Sequence, residues 1–189
     1  MSSKTELASP GLGGTLVAIL ASPPTTSGHR TRSRVELVRQ ILGAESTLIV
    51  NLFPLPTYRT TEISLIGVAA SVWLPARPSI EAALSTASGV LLAYGVTEPT
   101  GAAKQHHREQ LVWLEKILAQ SSLPIYEVGG MPRHPSRWQR WTSRAHPQLP
   151  FDAALPLGVR RRDCNAQLTA ASGRSLLGAG IEAAGPKLV

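Results

Sequence analysis

The sequence predicts an α/β fold of three layers, with a four-stranded, mostly parallel sheet between helices. Three observations carry this. Four short, mainly apolar runs lie at 15–20, 47–50, 89–94 and 124–128. Stretches with helical spacing separate them. Gly, Pro, Ser, Thr and Asn collect where each run ends. Strands that are apolar throughout, rather than alternating, belong to a sheet buried on both faces, as parallel sheets crossed by helices are.

Residues 1–14 are polar and Gly-rich and read as a flexible leader. The first strand, 15–20, is stopped by Ser22-Pro23-Pro24. Ser33-x-x-Glu36 has the form of a capping box, and Val35, Val38, Ile41 and Leu42 follow at helical spacing before Gly43 ends the helix. The second strand, 47–50, runs into Asn51-Leu52-Phe53-Pro54. Residues 54–78 are Pro-rich and read as irregular. Ser79 can cap a helix to about residue 88, and the third strand, 89–94, stops at Gly95.

Residues 104–120 form an amphipathic helix with His107, Leu111, Leu114 and Leu118 on one face. Neighbouring His106 and His107 then point apart, His107 inward, so they do not read as a metal pair. The fourth strand, 124–128, leads into the basic segment 132–141. Beyond residue 157 the chain becomes rich in Ala, Gly and Arg. This predicts one domain over 15–157 and a mobile basic tail over 158–189.

Composition narrows the function. The chain has 189 residues and is 43% hydrophobic, enough for one cored domain. No apolar run approaches the roughly 20 residues of a bilayer span, and no signal peptide is evident, so a cytoplasmic protein without a membrane partner is expected. Cys164 is the single cysteine, which excludes an internal disulfide. No metal and no cofactor are expected. The net charge of +7 favours an anionic partner: nucleic acid, a nucleotide or an anionic surface. An Arg-rich composition explains part of that charge; its clustering says more.

The cluster is Pro132-Arg133-His134-Pro135-Ser136-Arg137-Trp138-Gln139-Arg140-Trp141, which holds two of the chain's four Trp and no acid. Cations interleaved with aromatic rings suit phosphates and stacked bases. The segment follows a strand, and open α/β sheets bind ligands beyond the carboxyl ends of their strands. The loops at 22–26, 51–54, 95–101 and 129–137 are therefore the candidate site. The 95–101 loop matches no phosphate-loop pattern, which argues against a nucleotide triphosphatase.

The motifs on these loops carry a resemblance at two levels. Ala21-Ser22-Pro23-Pro24-Thr25-Thr26, Asn51-Leu52-Phe53, Ala93-Tyr94-Gly95 and Pro132-Arg133-His134-Pro135 resemble, over roughly 15–157, a bacterial and phage domain family of unknown function. More distantly, Leu48-Ile49-Val50-Asn51, Leu92-Ala93-Tyr94-Gly95 and His134-Pro135-Ser136 are similar in order to motifs of the uracil-DNA glycosylase superfamily. That resemblance implies a glycosylase-like fold and a nucleic-acid partner, DNA foremost. The implied activity is cleavage of the N-glycosidic bond of a modified or damaged base, as in DNA repair.

The residue types fit that chemistry. Asn51 carries both a donor and an acceptor for a base edge. His134 matches the donor that stabilises charge on the departing base. Ser136 can contact a phosphate, and Trp138 holds the position of an apolar wedge. Arg133, Arg137, Arg140 and Arg144, with Trp141, would hold the strand. Ser22, Phe53 and Tyr94 would wall the base pocket. The first motif departs from the superfamily, having neither Asp nor Asn; Thr25, Thr26 or His29 would have to orient water.

Plainer readings stand beside these. Asn51 can cap its loop, and His134 can be a structural hydrogen-bond partner. Trp138 and Trp141 share a helical face that can pack on the sheet, while Trp73 and Trp113 read as core. The Arg stripe can be a solvated face. Three functions remain: a glycosylase-like enzyme, a nucleic-acid-binding module without turnover, and an enzyme on a small nucleoside or nucleotide. Oligomeric state is open.

Overall fold

The computed structural model describes residues 11–162. Its sheet has five strands in the order β2-β1-β3-β4-β5. Strands β1 (Thr15–Leu20), β2 (Ser46–Asn51), β3 (Ala87–Leu92) and β4 (Ile125–Val128) are parallel, and β5 (Val159–Arg161) runs antiparallel to β4. The α/β architecture and the four parallel strands agree with the sequence pattern. The strand count does not. Residues 159–161 are short and Arg-rich, with no pattern of their own; they form a strand by pairing the otherwise open edge of β4. The fold thus continues past residue 157, and 163–189 lie outside the described residues, as do 1–10.

The central strand shows why both faces need helices. Leu16, Ala18 and Leu20 of β1 point to one side and Val17 and Ile19 to the other, and all five are buried. The first side packs against α1 (His29–Leu42), α6 (Trp138–Ala145) and α7 (Phe151–Gly158) through Val35, Val38, Trp138 and Leu155. The other packs against α4 (Ala76–Ser85) and α5 (Ala102–Gln120) through Ile80, Ala83, Leu114 and Leu118.

Several local expectations shift. Helix α1 begins at His29, so Ser33 and Glu36 lie inside it rather than forming a capping box; Glu36 instead pairs with Arg39 at 2.7 Å. Gly43 does end the helix, at φ 65°. The leader is anchored at its end, where Leu12 and Gly13 donate to the carbonyls of Leu42 and Gly43. The stretch read as irregular holds α2 (Thr60–Ile66) and α3 (Ala70–Trp73), and α4 starts before Ser79. A small core explains this: Phe53, Ile63, Trp73 and Ala103 bury one another, and the Trp73 indole N–H donates to Gly67 O at 2.8 Å. His107 packs edge-on to Trp73 at 5.8 Å between ring centroids, while His106 lies against Glu109.

Candidate functional site

The strand order switches direction between β1 and β3, so the loops after these two strands diverge and leave a crevice at their carboxyl ends. A cleft of about 1460 Å³ occupies it. Its walls include Ser22 to Arg32, Asn51, Thr57 to Thr61, Tyr94 to Thr97, and the segment from Arg133 to Arg144. The four loops singled out from sequence therefore meet in one place.

Hydrogen bonds knit the walls. Leu52 and Phe53 donate to Leu20 O and Ala21 O, and Thr57 donates to Pro23 O, so the loop after β2 is stitched along the loop after β1. Thr57 is buried, and its Oγ1 lies 2.6 Å from Ser22 Oγ. The Gly95 N–H donates to Pro132 O, joining the third and fourth loops, and Gly95 adopts φ 94° to do so. From α1, Arg34 donates to Pro135 O at 2.7 Å and to Gln139 Oε1 at 2.9 Å.

Charge is the most distinctive property of the cleft. Seven Arg line it: Arg30, Arg32, Arg59, Arg133, Arg137, Arg140 and Arg144. No Asp or Glu does. Among the described residues the ion pairs lie elsewhere, as in Arg108 with Glu98 and Arg162 with Glu115, and none involves a cleft Arg.

His134 N-caps the short 3-10 turn Pro135–Arg137. Its Nδ1 lies 3.3 Å from the Ser136 backbone nitrogen and 2.9 Å from Ser136 Oγ. A backbone N–H can only donate, so Nδ1 accepts and the neutral ring carries its proton on Nε2. Burial, then Arg137 and Arg34, hold its pKa below the ordinary histidine range. The ring is thus a neutral donor in a cationic wall.

Two cleft residues hold buried polar atoms without a partner among the described residues: Asn51 Oδ1, an acceptor, and Arg133 Nε, a donor. An unmet buried group costs free energy unless a ligand or water meets it. Arg133 also lies over the Trp141 ring, 5.9 Å from its centroid.

The structure brings together Asn51, His134, Ser136, Ser22, Thr25 and the four predicted Arg in the cleft lining. It separates three others from their expected roles. Trp138 is fully buried among β-strand and α1 side chains, and its indole N–H donates to Arg133 O at 2.7 Å, so it cannot wedge into a base stack. Phe53 is equally buried, 4.7 Å from Trp73, and is core rather than pocket wall. Tyr94 borders the cleft, but its ring packs into the core on the α4 and α5 side, where burial and then Glu115 push its hydroxyl pKa up. Trp141 is half-buried, its indole lying across Gly129 and Gly158, with one side toward the cleft.

Sequence reasoning missed Arg30, Arg32 and Arg59 in the lining, Thr57 and Arg34 in its support, and Tyr58 at its rim. The alternation of Arg along 30–34 was the available signal. Among the described residues no cluster of three or more His, Cys, Asp or Glu could hold a metal ion, and no helix is long and apolar enough to cross a membrane. Compared with known proteins, the chain matches no family model, no curated sequence and no solved structure.

Proposed function

We propose that the protein binds nucleic acid in this cleft, with phosphates on the Arg side chains and an unstacked base between Asn51 and His134. The carrying observation is the set of seven Arg, with no acid among the described residues that line the cleft. Like charges gathered without counter-charges repel one another, and a polyanion relieves that repulsion. The two unpartnered atoms sharpen the reading. Arg133 Nε asks for an acceptor such as phosphate oxygen, and Asn51 Oδ1 asks for a donor such as a base amino or imino group. The order of the motifs on successive parallel strands supports a glycosylase-like arrangement.

Release of the base is the second reading, and one observation favours it. A neutral His134 presenting Nε2–H can donate to a base as negative charge develops on it. Against it stands the lining itself, which among the described residues offers no carboxylate to activate water. Binding without turnover therefore ranks first.

Two assays test this. Affinity for a labelled oligonucleotide should fall steeply with salt, with a logarithmic slope of several units for several phosphate contacts. A flat slope would leave only a small anionic ligand. Abasic-site formation over a panel of natural and damaged bases, with His134→Ala as comparison, tests release. Loss of base from any panel member that disappears in His134→Ala would put the second reading first.

A further inference from the structure

We propose that Tyr58 is a base-stacking platform at the mouth of the cleft, and that the nucleic acid it serves is single-stranded. This rests on the nucleic-acid reading above and deepens it.

Tyr58 is 65% exposed yet lines the cleft. An exposed Tyr on a loose loop would mean little. This one stands on a fixed backbone. Thr57 before it is buried and bonded to both Ser22 Oγ and Pro23 O. The Tyr58 N–H donates to Glu62 Oε2 at 2.6 Å, which ties it to the first turn of α2. The Arg59 guanidinium lies over the ring, 5.3 Å from its centroid. One face of the ring is therefore backed by a cation.

A flat aromatic face, fixed at its root and set beside unpaired Arg, accepts a base from any strand whose bases are already unstacked. A protein that opens a duplex needs something different, a bulky apolar side chain that pries a base step apart. The side chain in position for that, Trp138, is locked in the core. Trp141 is half-buried and lies flat across Gly129 and Gly158, and the exposed apolar residues of the lining, Pro24 and Val96, are small. The cleft is furnished to receive an open strand rather than to open a closed one.

The test uses the full chain with labelled oligothymidine, single-stranded or annealed to oligoadenosine, and reads fluorescence anisotropy. Wild type should bind the single strand more tightly than the duplex. Tyr58→Ala should weaken strand binding roughly tenfold, the loss expected for one base–aromatic stack, while leaving the thermal melt in place. Tyr58→Phe keeps the ring and should retain the affinity that Ala loses. In Tyr58→Trp, added strand should quench emission beyond the quenching seen in wild type. Equal strand affinity for wild type and Tyr58→Ala overturns the platform, and duplex preference overturns the strand state. If wild type binds neither oligonucleotide, the underlying reading of the cleft fails as well.

Discussion

Arg34 and Pro135 stand 101 positions apart, and the Arg34 guanidinium donates to the Pro135 carbonyl at 2.7 Å. A second bond reaches Gln139, and the same guanidinium lies 5.3 Å from the Phe151 ring centroid. One side chain of α1 thus fixes the loop that carries His134. Arg34→Ala should lower unfolding free energy by about 1–3 kcal/mol and weaken oligonucleotide binding, although Arg34 does not line the cleft. Arg34→Lys should recover little, because a single ammonium cannot reproduce the planar fork. Urea titration and anisotropy on the same samples separate the two effects; unchanged stability in Arg34→Ala would show that Arg34 does not clamp the loop.

The cleft Arg set predicts a graded salt response. Arg137→Ala and Arg140→Ala should each weaken strand binding and reduce the logarithmic salt slope by about one unit. Arg161→Ala, on β5 and outside the cleft lining, should leave the slope unchanged. Equal slopes in all four proteins would mean that the charge acts from the whole surface.

Acid should destabilise the protein through two half-buried histidines. Burial lowers the pKa of both His134 and His107. A folded pKa below the unfolded one means that the unfolded chain takes up the proton first as pH falls. The contribution to stability is therefore complete above about pH 6.5 and is lost as pH drops toward the folded pKa, at no more than about 1.4 kcal/mol per pH unit for each proton. His134→Asn keeps a capping acceptor for the Ser136 N–H and removes the titration. Thermal melts across this window should show a shallower acid decline in His134→Asn and in His107→Asn. Parallel curves for wild type and both variants would show that neither ring is held neutral.

Trp141 lies against Gly129 and Gly158, and a Cβ on either glycine would overlap its indole. Gly158→Ala should cost about 1–3 kcal/mol, as overpacked sites do. Trp141→Leu frees that space, so the double variant should be more stable than the sum of the single losses implies, by a coupling of at least about 0.5 kcal/mol. Simple additivity in a double-mutant cycle would show that the indole moves aside freely.

The parts of the fold that depend on local pattern were legible. β1 and β3 are apolar runs because both their faces are buried, and Gly43 marks its helix end by a left-handed conformation. The gathering of four loops followed from the strands being parallel, which puts all their carboxyl ends at one edge of the sheet. What was illegible depends on contacts distant in sequence. Trp138 and Trp141 share helical spacing, but spacing cannot say which side of the helix faces the sheet. Phe53 sits beside Asn51, and only the packing of Trp73 against it turns it from wall to core. Helices α2 and α3 form under Pro-rich composition because Ile63 and Trp73 have that core to fill.

The seven unpaired guanidinium groups have a consequence for how any affinity is understood. In salt solution such a cleft draws anions from the medium, so a nucleic acid arrives by exchange rather than by addition. The identity of the displaced ion then belongs to the reaction. Phosphate or sulfate, held by several Arg at once, should compete more strongly than chloride at equal ionic strength. The same protein would rank its partners differently in a phosphate-rich medium and in one dominated by bulky organic anions.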